Sequence, residues 1–171
     1  MIMFRAKKNY NNIIALGFLI TSILFNSIFD ELSFNANLNQ YFNIQFLLIY
    51  FFSFNRFIYF SISPLFFLGL VNDSIAGSPF GLSSCIYILI YKIAVYQNTI
   101  KLRSIFKAEW IAFGISIFAA YILIFTIYSF LGNSYDFRML IYNFVGTFFI
   151  YPIGWIFLKY IFLKMETVGN E

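Results

Sequence analysis

"FNIQFLLIYFFSFNRFIYFSISPLFFLGLV", Phe42 to Val71, is an unbroken apolar run except for one charge, Arg56, near its centre. As a single helix of about 30 residues it would reach about 45 Å, well beyond the roughly 30 Å of a bilayer's hydrocarbon core. Arg56 would then sit near mid-membrane, at a cost of about 2.5 to 3.5 kcal/mol even on a lenient insertion scale. A break at Asn55 and Arg56 removes both difficulties. The run therefore reads as two short spans, residues 42–54 and 57–75, joined by a tight turn at the membrane surface.

Outward from this stretch, four more apolar blocks complete the chain: residues 12–29, 81–97, 109–131 and 139–163. Lysine and arginine gather on the cytoplasmic side of membrane proteins. With six spans and the N-terminus inside, Arg5, Lys7, Lys8, Arg56, Lys101, Arg103, Lys107, Lys159 and Lys164 all fall on that side, with Lys92 close to it. Arg138 alone lies outside, among Asp30, Glu31, Asp73 and Asp136. Five spans would reverse this pattern in the second half of the chain. The expected fold is thus an all-α integral membrane protein, a six-transmembrane-helix bundle forming a single domain over residues 1–171, with both termini cytoplasmic. The N-terminal "MIMFRAKK" could open a signal peptide, but no A-x-A-like site follows the apolar run ending near Phe29, so the first span reads as retained.

Composition points the same way. Of 171 residues 61% are hydrophobic and only 11% charged, with a mean hydropathy of +0.81. Soluble domains average about 25% charged, so this chain lacks the polar surface to cover a globule in water. Aromatic residues make up 24% without fixed spacing, which fits codon bias better than stacking platforms. The +4 net charge is explained by topology rather than by nucleic acid. With no histidine and a single cysteine, the common zinc sites, haem attachment and Ser-His-Asp triads are excluded. Cys85, in an apolar run, reads as a buried inert thiol. No cofactor or metal is expected. No ionisable residue stands at the centre of a span, which argues against a proton relay, voltage sensor or charge-coupled pump. Glu109, just before Trp110, reads as interfacial and paired with Lys107 or Lys101.

Membrane helices associate through small residues and interhelical hydrogen bonds. Gly17, Thr21, Ser22 and Asn26 recur at helical spacing on the first span, and Gly114, Ala119 and Ala120 on the fifth. Asn143, Gly146, Thr147, Ile150 and Gly154 form a stripe on the sixth, where Pro152 is expected to kink the helix. Packing is the favoured reading of these residues; a polar pocket lined by Asn26, Asn143 and Tyr151 is the alternative.

The end of the third span is different. In "LGLVNDSIAGSPFGLSS", Leu68 to Ser84, Gly69, Asp73 and Gly77 are spaced four apart and share one helical face, placing the carboxylate between points of close backbone approach. Ser78 is a good N-cap and Pro79 suits a first helical turn. Asp73 is expected to satisfy free N–H groups at the start of the fourth helix, where the dipole favours an anion. A capping aspartate in a tight turn explains most of the motif without a ligand.

This stretch resembles the G-x-x-x-D-x-x-x-G-S-P-x-G signature of the rod shape-determining membrane protein MreD family, matched at Gly69, Asp73, Gly77, Ser78, Pro79 and Gly81. The family's length, its six short spans, its basic N-terminal lead and the character of its last helix, here Asn143 to Phe162, are similar as well. Asn72 and Ser74 depart from the usual apolar residues. The resemblance implies a fold similar to the substrate-binding subunits of energy-coupling-factor transporters. It also implies a non-enzymatic inner-membrane scaffold of the cell-elongation machinery, maintaining rod shape by linking MreC, the MreB filament and peptidoglycan synthases. On that reading the aspartate and the glycine turn shape a rim facing MreC or a cavity, and the basic loop 101–107 lies near anionic lipid and MreB. The alternative is a membrane-embedded small-molecule-binding subunit of a transporter.

Overall fold

The computed structural model describes Gly17, Ile20, Thr21 and residues 43–54, 62–99, 106–132 and 137–168, the side chains of Thr99 and of 162–168 excepted. Among the described residues the chain is all-helical, with five helices and no strand: α1 (Ile44–Phe54), α2 (Ile62–Ala76), α3 (Leu82–Thr99), α4 (Phe106–Phe130) and α5 (Phe137–Val168). The break expected in the long apolar run, at Asn55 and Arg56, lies outside the described residues, which resume at Ile62. So do Asn26, Lys101 and Arg103, and most of the proposed first span, of which Gly17, Ile20 and Thr21 are helical and exposed.

Length separates these helices. α4, at 25 residues, and the first 25 of α5, Phe137–Ile161, are long and apolar enough to cross a membrane. α1 has 11 residues and α2 has 15, or about 16 Å and about 22 Å of helix, less than a full crossing by their own length. The described residues thus give an all-helical protein with two helices of spanning length, a coarser result than six spans.

α1 carries no charge and no polar face, and every residue from Gln45 to Phe54 is buried, as expected of a helix hydrophobic all round. It packs against α3, α4 and α5, while α2 is held by α3. The centre is aromatic. Tyr50 of α1 meets Phe113 of α4 edge-on at 5.1 Å and Tyr151 of α5 at 5.7 Å, and Phe113 stacks on Tyr151 at 4.2 Å, geometries that suit the ring quadrupole. Glycines admit the neighbouring helices: a Cβ on Gly154 would stand 2.6 Å from Leu47 Cδ1, and one on Gly114 2.7 Å from Phe148 Cε2. Within the stripe of α5, Gly154 therefore serves close packing against α1.

Cys85 corrects an expectation. It is exposed, because the first turns of α3 present Leu82, Ser83, Ser84, Ile86 and Tyr87 to the interior and leave position 85 on the opposite side.

Candidate functional site

The α2–α3 turn is organised around one carboxylate. Asp73 is 1% exposed. Its Oδ1 accepts from Ser78 Oγ at 2.8 Å and from the Ser83 amide at 3.0 Å; its Oδ2 accepts from the Gly81 amide at 2.8 Å and, more weakly, from Ser83 at 3.3 Å. Gly81 is the N-cap of α3, since its carbonyl takes the first intrahelical bond from Cys85 N, so Asp73 reaches across from α2 to fill two of the helix's orphan donors. The capping role expected of Asp73 is present. Ser78 is not the N-cap: α3 starts four residues later, and with the orphan amides already occupied by Asp73, the Ser78 hydroxyl serves as a donor to the same carboxylate. Pro79 lies in the turn, where its carbonyl accepts from Leu82 N at 3.1 Å.

The three glycines have separate roles. Gly77 and Gly81 adopt φ of 63° and 90°, the left-handed region that disfavours a side chain. A Cβ on Gly77 would meet nothing within 4 Å, which corrects the close approach expected there. That approach occurs at Gly69, where a Cβ would lie 2.4 Å from both Cα and N of Ser84. Helices α2 and α3 cross backbone to backbone at this point, and Ser84 Oγ donates to the Phe66 carbonyl at 2.8 Å.

Polar contacts run from this hub into the bundle. Asn72 Nδ2 donates to Ser83 Oγ at 2.9 Å, Gln45 Nε2 donates to Asn72 Oδ1 at 3.2 Å, and the Tyr87 hydroxyl donates to Gln45 Oε1 at 2.5 Å. Asn72 is thus the link between the turn and α1. Beside it, Thr147 of α5 accepts the Asn43 amide at 2.9 Å and lies 3.3 Å from the Tyr121 hydroxyl.

A second hub, at the opposite end of α4, was not anticipated. Glu109 is 8% exposed, and its Oε1 accepts from the Tyr151 hydroxyl at 2.6 Å and from Trp155 Nε1 at 3.1 Å. Its carbonyl lies 3.3 Å from the Tyr50 hydroxyl, which also reaches Gln97 Oε1 at 2.9 Å. Gln97 Nε2 donates to the Ala112 carbonyl at 3.1 Å, and Asn98 Nδ2 to that of Phe54. Lys159 Nζ stands 4.4 Å over the Trp155 ring. Among the described residues Glu109 takes aromatic donors from α5 rather than Lys107, because its side chain turns inward toward the helix that carries them; Lys101 lies outside the described residues. The signal in the sequence was Tyr151 and Trp155, spaced i and i+4 with polar tips, facing the one acid of the fifth span. Tyr151 and Asn143 stand two turns apart on α5 and do not share a pocket; Asn143 is partly exposed and its carbonyl accepts from Thr147.

Glu109→Gln keeps an acceptor but weakens a charge-assisted pair. It is expected to lower stability in detergent by about 1 kcal/mol, and Glu109→Leu by more than Glu109→Gln, because the buried Tyr151 hydroxyl and the partly buried Trp155 indole lose their acceptor. Equal stability of all three proteins, measured by thermal unfolding, would remove Glu109 from this role.

One cavity of about 320 Å³ opens between α4 and α5, lined by Phe118, Ile122 and Phe125 on one side and Phe137, Ile141 and Phe144 on the other. Its lining is apolar, and Asp73 is not part of it. Comparison of the chain with protein-family profiles, with curated proteins and with solved structures finds no match.

Proposed function

We propose that this chain is a non-enzymatic, multi-pass scaffold of the bacterial inner membrane, of the MreD type. It docks an MreC-like bitopic partner and couples it to an MreB-like filament and to peptidoglycan synthases. The observation that carries the reading is the use of the signature residues. Gly69 admits the α3 backbone, Asp73 caps α3, Ser78 and Gly81 donate to Asp73, and Gly77 and Gly81 supply positive φ. A motif so fully engaged in joining two helices suits a rigid interaction surface better than a reaction centre. The proposed topology has six spans, both termini cytoplasmic and the aspartate turn on the periplasmic side.

The small-molecule alternative places a ligand near Asp73. The carboxylate's engagement in the turn and its separation from the apolar cavity weigh against that placement.

Two measurements test the proposal. A reporter fused after Glu171 is expected to read cytoplasmic; periplasmic phosphatase activity there would overturn the topology. Affinity capture of the tagged chain from its native membranes is expected to co-purify an MreC-like protein, and depletion to round the cells. Saturable binding of one solute, with cell shape unaffected on depletion, would instead establish the alternative.

A further inference from the structure

α5 contains Pro152. Proline has no N–H, so the carbonyl four residues earlier loses its usual intrahelical donor. That carbonyl belongs to Phe148, and Trp110 Nε1 of α4 donates to it at 2.9 Å while its ring stacks on Phe148 at 4.9 Å. The missing rung of one helix is thus supplied by the side chain of another. The neighbouring residue Glu109 holds Tyr151, immediately before the proline, and Trp155, three residues after it. One helical turn of α4 therefore grips α5 both before and after its weak point.

Toward its N-terminus α5 is held differently. Its contacts with α4 there are ring edges across the apolar cavity, Phe118–Phe144 at 6.0 Å and Phe125–Phe137 at 6.1 Å, with Tyr121–Thr147 at 3.3 Å as a polar tie between the two helices.

We propose that Pro152 is a hinge in α5 whose closed position is set by Trp110, and that the hinge controls the width of the α4–α5 cavity. Trp110 is a positioning residue: its indole replaces the hydrogen bond the proline removes and so fixes the angle between the two halves of α5. A swing of about 10° at Pro152 moves Tyr142, about 15 Å along the helix, by about 3 Å. This inference stands apart from the scaffold reading and holds or fails independently of it.

The test uses the full chain in lipid nanodiscs, with Cys85→Ser and nitroxide labels at the exposed positions Ile122 and Tyr142, and a reference pair at Ile115 and Ile156. Distances are read by double electron–electron resonance. Trp110→Phe keeps the ring stack but loses the donor; it is expected to lengthen the 122–142 distance by about 3 Å and to leave the 115–156 distance unchanged. Pro152→Ala restores an N–H to the ladder, so Trp110→Phe is expected to have no effect in that background. An unchanged distance in Trp110→Phe, or the same lengthening with alanine at 152, would overturn the hinge.

Discussion

Asp73→Ala is expected to lower the thermal unfolding midpoint of the detergent-solubilised protein by roughly 10 °C, corresponding to a loss of about 3 to 5 kcal/mol. The carboxylate is 1% exposed and accepts from two backbone amides and a hydroxyl. Without it the Gly81 and Ser83 amides lose their acceptor at a buried helix start, each at about 1 to 3 kcal/mol. Asp73→Asn is expected to be scarcely better, because its amide nitrogen is a donor placed among donors. A midpoint for Asp73→Ala within 2 °C of the wild type would mean that the turn is held by something else. If the scaffold reading is right, the same variants also round the cells, and to the extent that they unfold the protein rather than through lost chemistry.

The second large effect belongs to Gly69→Ala. Its new Cβ would stand 2.4 Å from two backbone atoms of Ser84, and no rotamer change relieves a clash with backbone. Helices α2 and α3 must separate by about 1 Å, which strains the Ser84 to Phe66 bond and the reach of Asp73 to α3; a cost of about 3 kcal/mol is expected, at the upper end for overpacking. Gly77→Ala meets open space and carries only the left-handed backbone cost of about 1 to 2 kcal/mol. The order matters more than the magnitudes. If Gly77→Ala proves the more damaging of the two, the close crossing at Gly69 is not what holds this hairpin.

Much of the α2–α3 hairpin was legible in the sequence because its determinants are local. A glycine at i and an aspartate at i+4 constrain one helix face, and Ser78 and Pro79 mark the boundary before the next helix. What the spacing could not assign was the division of labour between Gly69 and Gly77, since both positions share a residue type while one serves an interhelical contact and the other a backbone dihedral. The inward turn of Glu109 was hidden for a related reason. Its sequence neighbour Lys107 offered an obvious partner, whereas Tyr151 and Trp155 lie more than 40 positions away and only the packing of α5 against α4 brings them near. The link between Trp110 and Pro152 was likewise present as two separate facts, a kink-former and an interfacial aromatic, that the tertiary arrangement joins.

α1 has no side that lipid could solvate: ten consecutive residues, Gln45 to Phe54, are enclosed by protein, and Gln45, Tyr50 and Ser53 carry polar atoms among them. During biosynthesis this segment emerges well before α4 and α5, which complete its enclosure. Its buried surface is therefore completed only once those later helices have been made. Closure of the core around α1 accordingly depends on helices from the C-terminal half of the chain.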